Sequence, residues 1–327
     1  MKPPQPLISV VIPTWRRPPL LRRCLDAVLT QRYDPARYEV IVCDDGPDAA
    51  THAVIETLRV DRPHGPRIRY LPVTATQGPA AARNVGWRAA HGTIIAFTDD
   101  DTLPDAHWLA AGERAMRDGA DAAAGRVIMP LRAAPTDYER DAAGLAGAEF
   151  VTANCFVRRS ALKKVGGFDE RFTAAWREDS DLQFSLLEAG ARIVRADDAV
   201  VCHPVRPGRW GASIGQQRKA RFNALLYKKH PALYRARIAQ QPPWLYYGIV
   251  AALAAGVYGG RRNGLAGAAV PLGAWALLSG CFCARRLRDT SRRPAHVLEM
   301  VCTSALIPPL SVFWRLRGAL RFRVRFL

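Results

Sequence analysis

Residues 93–101 read Thr-Ile-Ile-Ala-Phe-Thr-Asp-Asp-Asp, a short apolar run that ends abruptly in three consecutive carboxylates. A run of this length, closed by polar residues, predicts a fully buried parallel strand. The same pattern recurs upstream. Residues 7–12 (LISVVI) are a β-branched run that Pro13 stops, residues 38–43 (YEVIVC) end in Asp44-Asp45-Gly46, and residues 68–71 give a third strand. Helical spacing lies between them: Leu21, Cys24, Leu25 and Val28 fall on one face of residues 20–29, and helical pattern returns at 49–58 and 84–90. Strand alternating with helix predicts an α/β protein with a doubly wound, mostly parallel sheet. Ligands of such sheets bind beyond the carboxyl ends of the strands, so the polar residues after the first, second and fourth strands converge on one crevice.

A chain of 327 residues holds one large α/β domain and something smaller. The formal charge of +18 suggests a nucleic-acid binder until its distribution is read: residues 1–203 carry 26 Lys+Arg against 27 Asp+Glu. The other 21 basic residues stand in 204–327 against only Asp289 and Glu299, among long apolar runs. Basic residues flanking apolar runs face anionic headgroups, whereas a duplex binder places them on a soluble stripe, so nucleic acid is excluded as a partner. Residues 238–260 and 263–284 are free of charge and long enough to cross a hydrocarbon core of roughly 30 Å. A third uncharged run, 300–314, has Pro308-Pro309 in its middle and suits a re-entrant or interfacial segment over about 297–314. The chain thus divides into a domain over 1–205, a basic amphipathic connector over 206–237 and membrane helices over 238–327. Seven scattered cysteines, an odd number, argue against a secreted disulfide framework. The start MKPPQP has no apolar core of signal-peptide length, which places the first domain in the cytoplasm.

Four strings carry chemistry. Asp99-Asp100-Asp101 is costly after an apolar strand unless a cation compensates it, and a hard divalent ion would leave positions for phosphate oxygens; an acidic loop cap before Pro104 is the plainer reading. Glu178 and Asp179 open an amphipathic helix, either as dipole-favoured caps or as a carboxylate general base. Gly78-Pro79-Ala80-Ala81-Ala82-Arg83-Asn84 reads as a small-residue loop before a helix, fit to approach a diphosphate with Arg83 supplying charge. His203, after an apolar run at 199–202, is structural or a further metal ligand.

Taken in order, SVVIPTWRR, VCDDGPD, GPAAARN, FTDDD, VGGFDERF and WREDSDLQFSLLEAG resemble the family-2 glycosyltransferases with the GT-A fold, over roughly residues 7–205. The resemblance implies a nucleotide-diphosphate sugar donor whose base side meets Pro13, Thr14, Arg16 and Asp45. Gly78 and Arg83 would line the nucleotide crevice, and Asp99 and Asp100 would lie near ribose and sugar. Asp101 would ligate Mg²⁺ or Mn²⁺, with His203 as an extra ligand. Asp179 would be the base of an inverting displacement, and Glu178 stands beside it as the other candidate. The QxxRW string of processive relatives is missing: residues 215–222 read GQQRKARF, and Arg209-Trp210 lacks the Gln, so transfer of a single sugar is expected. The acceptor implied by the membrane region is a lipid or lipid-linked glycan of the cell envelope, met at the cytoplasmic face of an inner membrane that the chain crosses more than once. A sugar nucleotidyltransferase is the alternative enzyme, but PTWRRPP stands where its glycine-rich signature belongs. A non-catalytic membrane scaffold would not need Asp101 and Asp179.

Overall fold

A computed structural model of the chain describes residues 6–326. The chain divides into two compact units: one runs to Pro130 and resumes over Gly144–Pro204, and the other combines Leu131–Ala143 with the chain from Val205 onward. The first domain is therefore not the continuous block 1–205 that its composition suggests.

The first unit alternates β1 (Ile8–Thr14), α1 (Pro18–Leu29), β2 (Tyr38–Asp45), α2 (Ala49–Asp61), β3 (Arg67–Val73), α3 (Pro79–Ala89) and β4 (Ile94–Thr98). There follow β5 (Leu103–Pro104), α4 (Trp108–Met116) and β6 (Ala122–Ile128). After α5 (Asp137–Ala143), which belongs to the second unit, come β7 (Asn154–Arg158), α6 (Arg159–Val165), α7 (Glu178–Glu188) and β8 (Ile193–Cys202). The eight-stranded sheet has the order β3-β2-β1-β4-β7-β6-β8-β5. Strands β1 to β4 are mutually parallel, β7 runs antiparallel to β4 and β6, and β5 antiparallel to β8. Side chains of a strand alternate between faces, and β1 shows it. Val10 and Ile12 join Leu21, Leu25, Ile55, Leu58 and Trp108 on one side, while Val11 joins Ala82, Trp87, Leu162, Leu182 and Leu186 on the other. Helices therefore cover both faces, as a doubly wound sheet requires.

Two local readings need correction. Pro13 does not end β1: the strand runs on to Thr14, with Pro13 opposite Cys43. The ladder to β4 stops at Val11, so beyond it only one flank is paired and a missing N–H is tolerated. The stretch after Gly78 is not a loop either. Pro79 is already the first residue of α3, where its fixed φ and absent N–H suit the first turn.

The second unit holds α8 (Ala212–Gln216), α9 (Arg221–Lys229), α10 (Pro231–Arg237), α11 (Trp244–Leu287) and α12 (Pro294–Phe322). The first apolar helix starts at Trp244 rather than 238, because Pro242-Pro243 stand before it. It breaks at Asn263 and Gly264, whose backbone angles are not helical, two residues beyond the expected Arg261-Arg262 turn. Residues 244–262 and 265–287 fold back on one another, with the rings of Tyr246 and Phe282 5.2 Å apart. Their backbones touch near the turn: a Cβ on Gly259 would lie 2.2 Å from the Gly267 carbonyl oxygen. At 1.5 Å per residue the arms are about 28 and 34 Å long.

Helix α12 runs unbroken through Pro308 and Pro309, so it is no re-entrant hairpin. One face is held along its length. Glu299 Oε1 accepts the Gly211 N–H at 2.7 Å, Thr303 and Ser304 accept from Arg286 at 2.6 and 3.0 Å, and the Phe322 carbonyl accepts from Lys228 at 2.8 Å. These contacts offset the hydrogen bonds that the prolines remove. The opposite face leaves Leu298, Val301, Leu306, Phe313, Leu316 and Leu320 exposed. Both α11 and α12 are long and apolar enough to cross a membrane.

Candidate active site

The carboxyl ends of β1, β2 and β4 place Thr14, Asp45 and the Asp99–Asp101 turn along one edge of the sheet. The turn is pinned by its backbone: the Asp99 carbonyl accepts from the Thr102 hydroxyl at 2.7 Å and the Cys24 thiol at 3.3 Å. Its three carboxylates then diverge. Asp100 points into the protein, fully buried, where it accepts from Thr14 Oγ1 at 2.7 Å and pairs with the Arg17 guanidinium at 2.8 Å. Burial pushes its carboxyl up to about 6 despite Arg17. Asp99 binds Arg83 at 2.8 Å. Burial alone would raise it, but Arg83 and the other cations around it hold the carboxyl below its ordinary value.

Asp101 meets His203 through strand pairing. Leu103 lies opposite Cys202 in the β5–β8 ladder, and the His203 N–H donates to the Ile128 carbonyl at 2.8 Å, so the residues flanking that ladder face each other. His203 Nε2 lies 3.6 Å from Asp101 Oδ1, too far for a hydrogen bond. One ligand atom each of Asp99, Asp101 and His203 falls within 4.8 Å of the others. His203 Nδ1 is buried and has no hydrogen-bond partner. Two carboxylates and one imidazole form a donor set that fits a divalent cation.

Arg83 connects this turn to α7. Only 3 % exposed, it donates to Asp99 on one side and to Glu178 Oε1, at 3.2 Å, on the other. Its guanidinium is thus engaged by two protein carboxylates. Glu178 and Asp179 begin α7 just after Arg177, whose φ of +76° turns the chain into the helix. Burial raises the Glu178 carboxyl, with Asp179 adding to it and Arg83 opposing. Burial likewise raises Asp179 against Arg83. The two differ in access: Glu178 is buried, whereas Asp179 is part-exposed. Asp179 is the more accessible of the two.

At the β2 end, both Asp45 oxygens accept the Gly78 N–H, at 3.0 and 2.9 Å. Gly78, with φ of +120°, caps α3, and a Cβ there would come within 3.3 Å of the Thr173 backbone. Asp44 is buried and accepts from Tyr70 and the Asp48 N–H, both at 2.9 Å.

The site residues named from the sequence thus separate into groups. Thr14, Asp99, Asp100, Asp101, Arg83, Glu178 and His203 belong to one network, with Asp179 beside it. Asp45 and Gly78 form a pair of their own, and Pro13 is buried in β1. Arg16 is exposed, has φ of +50° and stands 5.9 Å from the Trp15 ring. Two residues were not foreseen. Arg17, next to Arg16, pairs with Asp100 and, at 3.5 Å, with Asp101. Trp15 is 56 % exposed and flanks Gly46 together with Gln77. The PTWRR string contained both, but only the turn geometry separates the arginines.

The family model "Glycosyl transferase family 2" matches residues 9–166, and "Glycosyl transferase family group 2" matches residues 94–282, more than half of the chain. The chain is a family-2 glycosyltransferase. Glycosyltransferase AglE of Haloferax volcanii is 29% identical to it over 214 residues, covering 62% of this chain and 68% of that one. A GalNAc(5)-diNAcBac-PP-undecaprenol beta-1,3-glucosyltransferase of Campylobacter jejuni is 35% identical over 97 residues, which is 29% of this chain and 30% of its own length. Among solved structures, mannosyltransferase PcManGT from Pyrobaculum calidifontis, in complex with GDP-Man and Mn²⁺, aligns with a TM-score of 0.58 at 19% identity. That alignment covers 97% of this chain and 88% of the other. The transferase has the GT-A fold.

Proposed function

We propose that the transferase moves a single sugar, with inversion, from a nucleotide-diphosphate donor to a lipid or lipid-linked acceptor, with Mg²⁺ or Mn²⁺ bound. The observation that carries this reading is the gathering of Asp99, Asp101 and His203 ligand atoms within 4.8 Å at the carboxyl edge of the sheet. A divalent cation held there would neutralise charge on the departing diphosphate. Asp179 takes the proton of the acceptor hydroxyl as its oxygen bonds to the anomeric carbon and the carbon–diphosphate bond breaks. Glu178, locked to Arg83, fixes the start of α7 and with it the reach of Asp179. The donor and metal are of the kind in the PcManGT complex, and the acceptor class is the kind that the Campylobacter relative's name carries.

The apolar helices support work at a membrane. The arms of α11 are each long enough to cross, so the hairpin passes out and back with Arg261 and Arg262 at its tip. Helix α12 is held by Gly211, by Arg286 of α11 and by Lys228 of α9, and exposes one apolar stripe. That describes a helix lying in the interface, not a third crossing. Nucleotide sugars are cytosolic, so the catalytic unit belongs on the cytoplasmic side of an inner membrane.

A thermal-shift screen of UDP-, GDP- and dTDP-sugars on the purified full chain tests the reading. One donor at about 100 times its Kd with Mn²⁺ should stabilise by roughly 2.7 kcal/mol. The shift should disappear with chelator and in Asp101→Ala, and weaken in His203→Ala. An undiminished shift in Asp101→Ala would overturn the metal assignment.

A further inference from the structure

The second unit contains a cluster of arginines with no ion-pair partner among the described residues. Helix α9 begins where α12 carries Gly318, and a Cβ at that glycine would lie 2.4 Å from the Arg221 carbonyl oxygen. This backbone contact brings Arg221 beside the end of α12. The guanidinium carbons of Arg221 and Arg317 lie 5.9 and 5.1 Å from the same Trp314 ring. Burial holds Arg221 below the usual guanidinium range, and Arg321, Arg218 and Arg317 add to that by repulsion. Its Nε is buried without a hydrogen-bond partner. Among the described residues, none of these four arginines has an ion pair. Three of the unit's acids are engaged elsewhere: Asp137 and Glu139 with Arg286 and Arg132, and Glu299 with the Gly211 N–H.

Like charges drawn together in this way are unfavourable until an anion joins them, and guanidinium forks suit phosphate oxygens. The position on α12 narrows the anion. At 100° per residue, Trp314, Arg317 and Arg321 form a stripe directly beside the exposed stripe of Phe313, Leu316 and Leu320. Arginine and tryptophan at the margin of an apolar face mark headgroup depth. We infer that Arg218, Arg221, Arg317 and Arg321 form a phosphate site for the headgroup of an anionic membrane lipid, apart from the nucleotide-sugar site. The inference rests on the reading that α11 and α12 are in a membrane.

The test uses the full chain, delipidated in uncharged detergent, with phosphatidylglycerol or phosphatidylcholine titrated and bound lipid counted by native mass spectrometry. Phosphatidylglycerol should bind in preference. Each arginine removed should weaken it about fivefold, and Arg221→Gln with Arg317→Gln about 25-fold. The exposed Arg321→Gln, which threatens no packing, should show the single-step loss. Without lipid, the variants should melt no lower than the parent, because repulsion has been relieved. Phosphatidylglycerol affinity unchanged in the double variant overturns the site. Inorganic pyrophosphate displacing the lipid at micromolar concentration overturns the lipid assignment in favour of a soluble anion. Carbonate extraction of membranes separates the premise: release of the parent chain sinks the membrane reading and this inference together, whereas retention with unchanged lipid affinity sinks this inference alone.

Discussion

Replacing Arg83 with methionine tests the buried ion triad directly. Arg83 is 3 % exposed and bonded to Asp99 at 2.8 Å and Glu178 at 3.2 Å, so methionine keeps most of the volume and removes the charge shared by two carboxylates. Breaking a buried pair from one side typically costs about 3–5 kcal/mol, since the charge left behind is uncompensated. For a unit of this size that corresponds to a melting temperature lower by on the order of 10 °C. The pH dependence has a definite sign. In the parent, Asp99 is held below its ordinary value, so its contribution is present above the unfolded pKa and lost as pH falls through the lowered one. Glu178 is raised, so it favours folding below its unfolded pKa and loses that contribution as pH rises through the folded one. Without Arg83 both carboxyls prefer to be protonated. The gap between variant and parent should therefore be widest near pH 8 and close toward pH 5. Adding Glu178→Gln to the variant should recover part of the loss, because one of the stranded charges is then gone. Melting curves of the four proteins at both pH values suffice. If Arg83→Met melts within about 1 °C of the parent at pH 8, the triad does not hold the turn to α7, and the placement of Asp179 loses its explanation.

Two further outcomes are expected. Asp179→Asn should leave donor affinity nearly intact and lower turnover by at least about 10²-fold, and the parent's rate should rise with pH through a value above the ordinary carboxylate range, as the raised Asp179 requires. Steady-state kinetics from pH 4 to 9 would show this, and an acid limb surviving in the variant would remove Asp179 from the role. Gly259→Leu should force the arms of α11 apart where a Cβ already falls 2.2 Å from the Gly267 oxygen, lowering stability in detergent by about 1–3 kcal/mol. A melting curve that overlays the parent's would show that the arms do not touch there.

The parallel half of the sheet was legible because each strand is a β-branched run with a polar stop, and the stops are the carboxylates that gather at its edge. Strand β6 was not, since Ala122-Ala123-Ala124-Gly125 carries little strand signal. Its small residues are explained only by its neighbour: a Cβ on Gly125 would strike the Asn154 side chain at 2.3 Å. The acidic turn was visible as a motif, but the fate of its members was not. Three adjacent aspartates look equivalent in sequence, yet Thr14 and Arg17 draw Asp100 inward and leave Asp99 and Asp101 toward His203. Arg83 was read as a charge for the diphosphate because the pairing with Glu178 spans 95 positions, which no local pattern reports. His203 could be named only as a candidate, since its approach to Asp101 depends on the two-residue strand β5.

The path of the chain has a practical consequence. The polypeptide leaves the catalytic unit at Pro130, contributes α5 to the other unit, returns at Gly144 and leaves again after Pro204. The portion that carries the two long apolar helices is therefore not a tail that a single cut removes. A fragment ending at residue 204 would still carry Asp137, parted from the Arg286 that it binds at 2.8 Å. A well-behaved water-soluble catalytic fragment has to lose residues 131–143 as well, with a short polar bridge from Pro130 to Gly144. Exchanging anchors between relatives likewise means grafting two separate stretches, and α5 has to travel with the helices that it serves.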